Sequence, residues 1–272
     1  MRSAPLPIAC RLMNQDLLYQ LLTLLPLAFA TGAINAAVGG GGLIQVPALY
    51  AVLPTRLPAE LMGTDKIASI FGHATSMRQY ALKMALPWRL ILLTAAAAFV
   101  GALAGVSIMT LVPATWMRPI IIVILLVMLI YTWLRPQFGT QDANKAITRN
   151  DLYKGLVLGF VIGFYDGFVG PGTGSFLLFL FVRFFHFDFL RATACAKVVN
   201  FGTNLAALSV LVPTGMVLYS IAIPMGIAGV LGALVGSRLA MRGGNHWIRR
   251  LFLLLAVSLL AKLTWETIKP WL

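Results

Sequence analysis

The sequence predicts an all-α integral membrane protein with two inverted repeats of about five membrane segments each and with glycine-broken or re-entrant helices. The 272-residue chain is 60% hydrophobic and only 11% charged, whereas a soluble domain carries about 25% charged residues. Its mean hydropathy is +0.88. The second half also repeats the first at one fixed offset, so that Lys66 recurs as Lys197, 131 positions later (197 minus 66).

The repeat extends well beyond the two lysines and needs no gap. The identical pairs at this offset include Phe29 and Phe160, Gly32 and Gly163, Gly39 and Gly170, Gly41 and Gly172, Gly101 and Gly232, Gly105 and Gly236, Trp116 and Trp247, and Arg118 and Arg249. Two similar hydrophobic halves, each with a glycine cluster followed by a lysine, are typical of membrane transporters.

Composition argues against several other classes. The net charge of +13 is spread over short loops between apolar segments, which is the positive-inside pattern of a multi-pass protein rather than a nucleic-acid surface. The cysteines Cys10 and Cys195 form no CxxC pair, so we expect neither a disulfide scaffold nor a redox protein. Because no nucleophile set, carboxylate dyad or metal-ligand spacing is present, we expect no enzyme, no cofactor and no metal.

Each half divides into five apolar segments within predicted units 1–15 (N-terminal tail), 16–134 (first membrane repeat), 135–151 (cytoplasmic linker) and 152–272 (second membrane repeat). The predicted segments are Asp16–Val38, Leu43–Leu53, Thr64–Ala81, Trp88–Leu111 and Trp116–Leu134, then Leu152–Val169, Ser175–Phe185, Ala192–Val212, Tyr219–Met241 and Trp247–Lys269. The first segment resembles a signal peptide, but its far end belongs to the repeat, so we expect a retained helix.

The second segment of each repeat is too short to cross a membrane. Leu43 to Leu53 is 11 residues long, whereas a full span needs about 20. We therefore predict a half-helix or re-entrant piece that starts from the glycine cluster. Non-helical backbone at membrane depth occurs only where it is buried in protein or lines a wet cavity.

Loop charges indicate that the repeats are inverted. The loop after the third segment carries Arg78, Lys83 and Arg89, but its partner in the second half, 212–218, carries no base. One loop later the bias reverses, since 110–115 has no base and its partner region is rich in arginine. An odd number of crossings per repeat produces this reversal. Counting the crossings from these basic loops, taken as cytoplasmic, places both termini on the outer side of the membrane. The basic N-terminus opposes this orientation, because Arg2 and Arg11 favour the cytoplasmic side.

The two glycine clusters, at 39–42 and 170–174, are candidate anion-binding elements. They break the helices and leave the N–H groups and positive dipole end of the next half-helix free to bind a small anion. Close packing of helices through small residues is the alternative, and no lysine-serine or lysine-threonine pair follows as in a nucleotide-binding loop. The predicted substrate-binding residues here are Gly39, Gly40, Gly41, Gly42, Gly170, Pro171 and Gly172.

Lys66 and Lys197 are the candidate cations of this site. A lysine at membrane depth costs about 3 kcal/mol and needs a partner or a wet cavity, although a lysine near a helix end can also reach the headgroups. An ammonium group pairs naturally with an oxyanion. Polar residues follow on the same helical face at matching intervals, and they are Ser69 and His73 after Lys66, and Asn200 and Asn204 after Lys197. Such residues can instead hold helices together.

Three further residues are candidates for ion coupling. Asp166 lies four residues before Gly170, and Asn35 occupies the equivalent position in the first half. A carboxylate inside a membrane is a functional candidate, so Asp166 could carry a coupling proton or pair with Lys197. Asp65 could do the same or simply pair with a nearby base.

These motifs resemble the sulfite exporter TauE/SafE family, also called the toluene-sulfonate uptake permease family. The resemblance covers about Leu17 to Leu260, and its most specific stretches are 35–47, 63–69, 163–174 and 194–200. It implies a multi-pass carrier of the bacterial inner membrane that moves sulfite, an organosulfonate or a related small anion, coupled to an ion such as the proton. It fixes neither substrate nor direction.

The expected partners are therefore a small anionic substrate, a coupling ion and membrane lipid, with no nucleic acid. An anion channel is the alternative within transport. An integral-membrane enzyme or redox protein would need a catalytic constellation, and a membrane scaffold would leave the lysines unexplained.

Overall fold

A computed structural model describes residues 8–109, 111 and 147–268 of the chain, and its regular structure over these residues is helical. The helices are α1 (Ile8–Val38), α2 (Gly42–Val52), α3 (Pro58–Ala81), α4 (Trp88–Met109), α5 (Arg149–Phe168), α6 (Thr173–Phe185), α7 (Phe189–Leu211) and α8 (Tyr219–Ile268). The predicted segment Trp116–Leu134, most of the predicted linker and residues 1–7 of the tail lie outside the described residues.

Four stretches of the described chain are long and apolar enough to cross a membrane, so this is a multi-pass membrane protein. They are Asp16–Val38, Trp88–Met109, Phe189–Leu211 and Tyr219–Gly243. Helices α2 and α6 have only 11 and 13 residues, below the length of about 20 that a full span needs. The short second segment predicted for each repeat is thus present.

Local sequence explains where several helices begin. Pro58 opens α3, and the Glu60 carboxylate accepts a hydrogen bond from the N–H of Leu57, which satisfies a donor at the helix start. The Thr148 hydroxyl accepts from the N–H of Asp151 at the start of α5. The Asp188 carboxylate accepts from the N–H of Arg191 at 2.7 Å and caps α7, as acidic N-caps do.

The second half departs from prediction at its C-terminal end. The predicted segments Tyr219–Met241 and Trp247–Lys269 are joined in one helix, α8, which is 50 residues long. The sequence between them is polar and contains two glycines but no proline. Because every residue there retains its N–H, the hydrogen-bond ladder continues, and each glycine costs only about 1 kcal/mol. The predicted break was inferred from polarity alone and was wrong.

The helices of the two halves pack mainly on each other. Helix α1 packs along α8, and α4 packs along α5. At both interfaces glycine permits close approach: a Cβ on Gly101 would overlap the carbonyl oxygen of Phe160, and a Cβ on Gly232 would overlap that of Phe29. Further glycine contacts match in the same way across the repeat. The contact of Gly105 with Phe164 corresponds to that of Gly236 with Ala33, and the contact of Gly163 with Ala98 corresponds to that of Gly32 with Gly229.

These contacts form exchanged pairs. For example, Gly101 of the first half meets Phe160 of the second. Phe29, the first-half equivalent of Phe160, meets Gly232, the second-half equivalent of Gly101. A two-fold relation between halves gives this pattern, as in a symmetric dimer.

Candidate functional site

The two glycine breaks meet at one place between the halves. Gly39 ends α1 with φ of 80°, and Gly170 follows α5 with φ of 87°, a conformation that other residues rarely adopt. A Cβ on Gly39 would overlap the backbone of Gly174, and a Cβ on Gly174 would overlap that of Gly39. The N-termini of α2 and α6, which carry the positive dipole ends of these helices, therefore lie beside each other.

A small polar pocket lies at this meeting point. Among the described residues, its wall is formed by glycine backbone and by polar or charged side chains, with no hydrocarbon side chain. The wall residues are Asn35, Gly39, Gly42, Asp65, Lys66, Ser69, His73, Asp166, Gly170, Gly172, Thr173, Gly174, Asn200 and Asn204. Such a pocket suits a small polar ligand better than one with a large apolar body.

Lys66 of α3 forms a buried ion pair with Asp166 of α5. The Lys66 Nζ lies 2.7 Å from Asp166 Oδ2, and the two side chains are only 4% and 5% exposed. The other carboxylate oxygen, Oδ1, accepts a hydrogen bond of 2.6 Å from the Thr173 hydroxyl at the start of α6. Both oxygens of Asp166 are thus occupied, and the charge of Lys66 is compensated. Asp166 thus pairs with Lys66, and not with Lys197 as the sequence also allowed.

Lys197 of α7 is fully buried and bonds to the other half of the chain. Its ammonium group donates to the backbone carbonyl oxygen of Asn35 and lies 3.5 Å from the Asn35 side-chain oxygen. That carbonyl also accepts from the N–H of Gly39 at the end of α1, where the helix dipole favours a cation. Asn35 in turn lies 3.5 Å from His73, measured from Nδ2 to Nε2.

The two lysine contacts are exchanged equivalents of each other. Lys66 of the first half bonds to position 166 of the second, and Lys197 of the second half bonds to position 35 of the first. The chemistry differs, because position 166 is aspartate and position 35 is asparagine. Within the described part of the chain, Lys197 therefore has no carboxylate within 4.0 Å.

Two polar atoms of the pocket wall have no hydrogen-bond partner among the described residues and are buried. They are Oδ1 of Asp65 and Oδ1 of Asn200. Beside them Gln45 of α2 accepts from the Thr31 hydroxyl at 2.7 Å and lies 3.5 Å from the Ser69 hydroxyl. A buried acceptor without a partner is costly, so the Asn200 oxygen is available to a hydrogen-bond donor and the Asp65 oxygen to a donor or a proton.

Comparison with known proteins agrees with this architecture. Residues 24–263 match the family described as Sulfite exporter TauE/SafE. The chain belongs to the TauE/SafE family. No solved structure matches it.

The curated relatives of this TauE/SafE protein carry transporter names. It is 38% identical to the probable membrane transporter protein ORF9 of Sinorhizobium sp, over 94% of this chain and 97% of the relative. It is 30% identical to the probable membrane transporter protein YfcA of Escherichia coli K12, over 88% of each chain. A probable membrane transporter protein of Haemophilus influenzae is 29% identical over 88% and 92%. The protein is accordingly a membrane transporter and not an enzyme.

Most residues that the sequence singled out for this TauE/SafE protein are found together. The pocket wall contains predicted substrate-binding residues from both halves, and the three ion-coupling candidates Asn35, Asp65 and Asp166. Lys197 is not on the wall, although it bonds to Asn35, which is. Gly40, Gly41 and Pro171 belong to the breaks but not to the wall.

Four residues of this region were not singled out. Thr173 and Gly174 lie on the wall, and Gln45 with Thr31 supports Ser69. Thr173 could have been recognised as a hydroxyl at the first position of a half-helix. The signal for Gln45 is weaker, since it is one amide in an otherwise apolar segment whose equivalent in the second half is Phe176.

Proposed function

We propose that this transporter moves a small oxyanion, such as sulfite, a short organosulfonate or a related organic anion, across the bacterial inner membrane by ion-coupled alternating access. The observation that carries the proposal is the pocket itself, where two helix N-termini meet and whose wall includes Asn35, the residue to which the buried Lys197 bonds. Helix N-termini and ammonium groups both stabilise anions.

The wall composition supports a compact substrate. Every wall residue is glycine, charged, hydroxylated, amide-bearing or histidine. An aromatic sulfonate would bring a ring into a site whose surface is mostly polar, and its burial would leave polar wall groups unpaired. A small oxyanion can instead accept hydrogen bonds from Ser69, Asn200 and Asn204, and from His73 where its ring nitrogen donates.

The exchanged contacts support two inverted repeats. A two-fold axis can lie in the membrane plane or along its normal, and the reversed basic bias of corresponding loops favours the first choice. The lysine contacts Lys66–Asp166 and Lys197–Asn35 then lie on either side of the pocket and join the halves. Rocking one half against the other would open the pocket to each side in turn. The units 16–134 and 152–272 remain predictions.

The test is anion counterflow in proteoliposomes that contain the purified full-length protein. Vesicles loaded with unlabelled sulfite, methanesulfonate or acetate would be diluted into the labelled anion. A carrier gives transient accumulation that saturates with concentration, whereas a channel gives linear flux without counterflow.

Lys197→Ala should lower counterflow at least about tenfold, since a charge-assisted hydrogen bond contributes about 1.5–3 kcal/mol. Lys154→Ala is the matched control, because this lysine is exposed on α5 and pairs only loosely with Asp151 at 3.9 Å. Counterflow at the wild-type rate in a correctly inserted Lys197→Ala protein would contradict the anion site.

A further inference from the structure

The buried charges of the described residues sum to zero before any substrate binds. The charged side chains in this buried set are two carboxylates, Asp65 and Asp166, and two ammonium groups, Lys66 and Lys197. One of each is joined in the Lys66–Asp166 ion pair. The remaining two, Asp65 and Lys197, have no ion-pair partner within 4.0 Å in the part of the chain that the structure describes.

A neutral site is a poor receptor for an anion unless a cation enters with it. An anion bound beside Lys197 would leave a net charge of −1 among these buried side chains, and buried unpaired charge is costly. A proton on one of the carboxylates removes this excess. The question is which carboxylate can accept it.

Asp65 and Asp166 differ in what already occupies their oxygens. Asp166 Oδ2 accepts from Lys66 and Oδ1 accepts from Thr173, so its charged form is fully used. Asp65 lies on the pocket wall and is 7% exposed, and its Oδ1 is buried without a hydrogen-bond partner. A proton on that oxygen would remove the buried negative charge that no ion pair compensates.

The surroundings of Asp65 favour a proton over a metal cation. The charged groups that act on it are Lys66, next to it on α3, and Asp166 of α5, and the amide of Gln45 approaches from α2. His73 lies further along α3, within electrostatic range of both Lys66 and Lys197. Among the described residues, no group of three or more histidine, cysteine, aspartate or glutamate side chains is placed to hold a metal ion, whereas a proton needs only the one carboxylate, to which it bonds covalently.

The repeat marks Asp65 as a feature of one half alone. Its equivalent is Ala196, while the equivalent of Asp166 is Asn35. Each half therefore contributes one acid and one lysine to the buried set, but the acids stand at different repeat positions. Only the acid at position 166 forms the lysine contact between the halves. The carboxylate of Asp65 is therefore not needed for that contact.

We infer that the transporter is an electroneutral proton–anion symporter in which the carboxyl group of Asp65 carries the proton while Lys197 receives the anion. The inference rests on the proposed function, because it names the coupling ion and its residue in the same site. No bond of the substrate changes: the proton adds to Asp65 Oδ1 on the side of entry and leaves it on the other side.

The experiment uses labelled methanesulfonate, whose sulfonate stays ionised, so that any coupled proton must be carried by the protein. Proteoliposomes are given a pH difference of one unit with the membrane potential clamped to zero. One proton per anion then sustains about a tenfold anion gradient, higher on the alkaline side, because one pH unit is worth about 1.4 kcal/mol. A trapped pH dye records proton entry, and a sodium gradient serves as the alternative driving force.

The expected result is tenfold accumulation by the wild type and by Glu60→Gln, which removes an acid of α3 outside the pocket. Asp65→Asn should accumulate no anion but still show measurable counterflow. Accumulation by Asp65→Asn, or accumulation driven by sodium, overturns the inference.

Wild-type counterflow without any response to the pH difference, or without a dye signal, also overturns the inference and leaves the proposed function in place. Absence of counterflow with every anion tested would overturn both. The wild-type dye measurement decides the coupling ion even if the Asp65→Asn protein does not fold.

Discussion

The ion pair between Lys66 and Asp166 predicts a specific pattern in a double-mutant cycle. Its ammonium and carboxylate lie 2.7 Å apart with side chains 4% and 5% exposed. At an effective dielectric constant of about 20 this separation corresponds to an attraction of about 6 kcal/mol, part of which offsets the cost of removing both charges from water. Breaking such a pair from one side leaves an uncompensated buried charge and costs about 3–5 kcal/mol.

Asp166→Asn and Lys66→Gln should therefore each lower the thermal midpoint of the detergent-solubilised protein by roughly 10 °C, taking about 2–4 °C per kcal/mol for a chain of this size. The double variant removes both charges and should recover at least half of that loss. Lys154→Gln is the matched control. It removes one partner of a partly exposed, loose pair on α5 at 3.9 Å, and pairs near the surface contribute about 0–1 kcal/mol.

The assay is thermal unfolding followed by tryptophan fluorescence, with size-exclusion profiles to show that each variant starts folded. Additive losses in the double variant would refute the reasoning, because independent sites add and coupled sites do not. A Lys154→Gln loss as large as that of Asp166→Asn would also refute it, since burial would then not be the cause.

Further predictions concern the helix interfaces and the second-half break. Gly101→Ala and Gly232→Ala should each reduce the yield of folded protein, because the added Cβ would overlap a backbone carbonyl. Gly202→Ala is the control and should not reduce the yield, since its Cβ would meet its nearest neighbour at 3.5 Å. Membrane expression and size-exclusion chromatography measure the yield. Thr173→Ala should lower stability by about 1.5–3 kcal/mol by removing a hydrogen bond to a carboxylate, and Thr173→Ser should restore it in the same thermal assay. Tyr80→Phe removes the 2.9 Å hydrogen bond to the Ala36 carbonyl and should cost about 1 kcal/mol, measurable as a lower thermal midpoint.

The sequence could predict the contents of the pocket because the repeat identifies them. Glycines that end helices and polar residues at intervals of three and four positions are local properties of one segment. The occurrence of each twice at one offset indicated that they belong together. For this reason Gly39, Gly170, Lys66 and their neighbours could be assigned to one site before any contact was known.

Partners across the halves could not be predicted in this way. Spacing gives the face of a helix but not the helix that it meets, and Lys66 lies 100 positions from Asp166. The continuous helix α8 escaped prediction for a related reason. Polar residues at 242–246 indicate a solvated stretch, but only proline or a competing cap forces a helix to end.

With the repeat known, one contact between the halves would have been enough to predict a second one. Given the 131-residue repeat and a two-fold relation, the bond from Lys66 to position 166 requires a bond from Lys197 to position 35, and the structure has it. What the symmetry cannot supply is the difference between them. Asp166 accepts from Thr173, whereas Gly42, the repeat equivalent of Thr173, has no side chain that could donate to Asn35. Lys66 is thus held by a full negative charge, whereas the ammonium group of Lys197 bonds to a backbone carbonyl. Because charge-assisted bonds between full charges are the stronger, the proposed anion would replace that carbonyl more readily than it would replace Asp166.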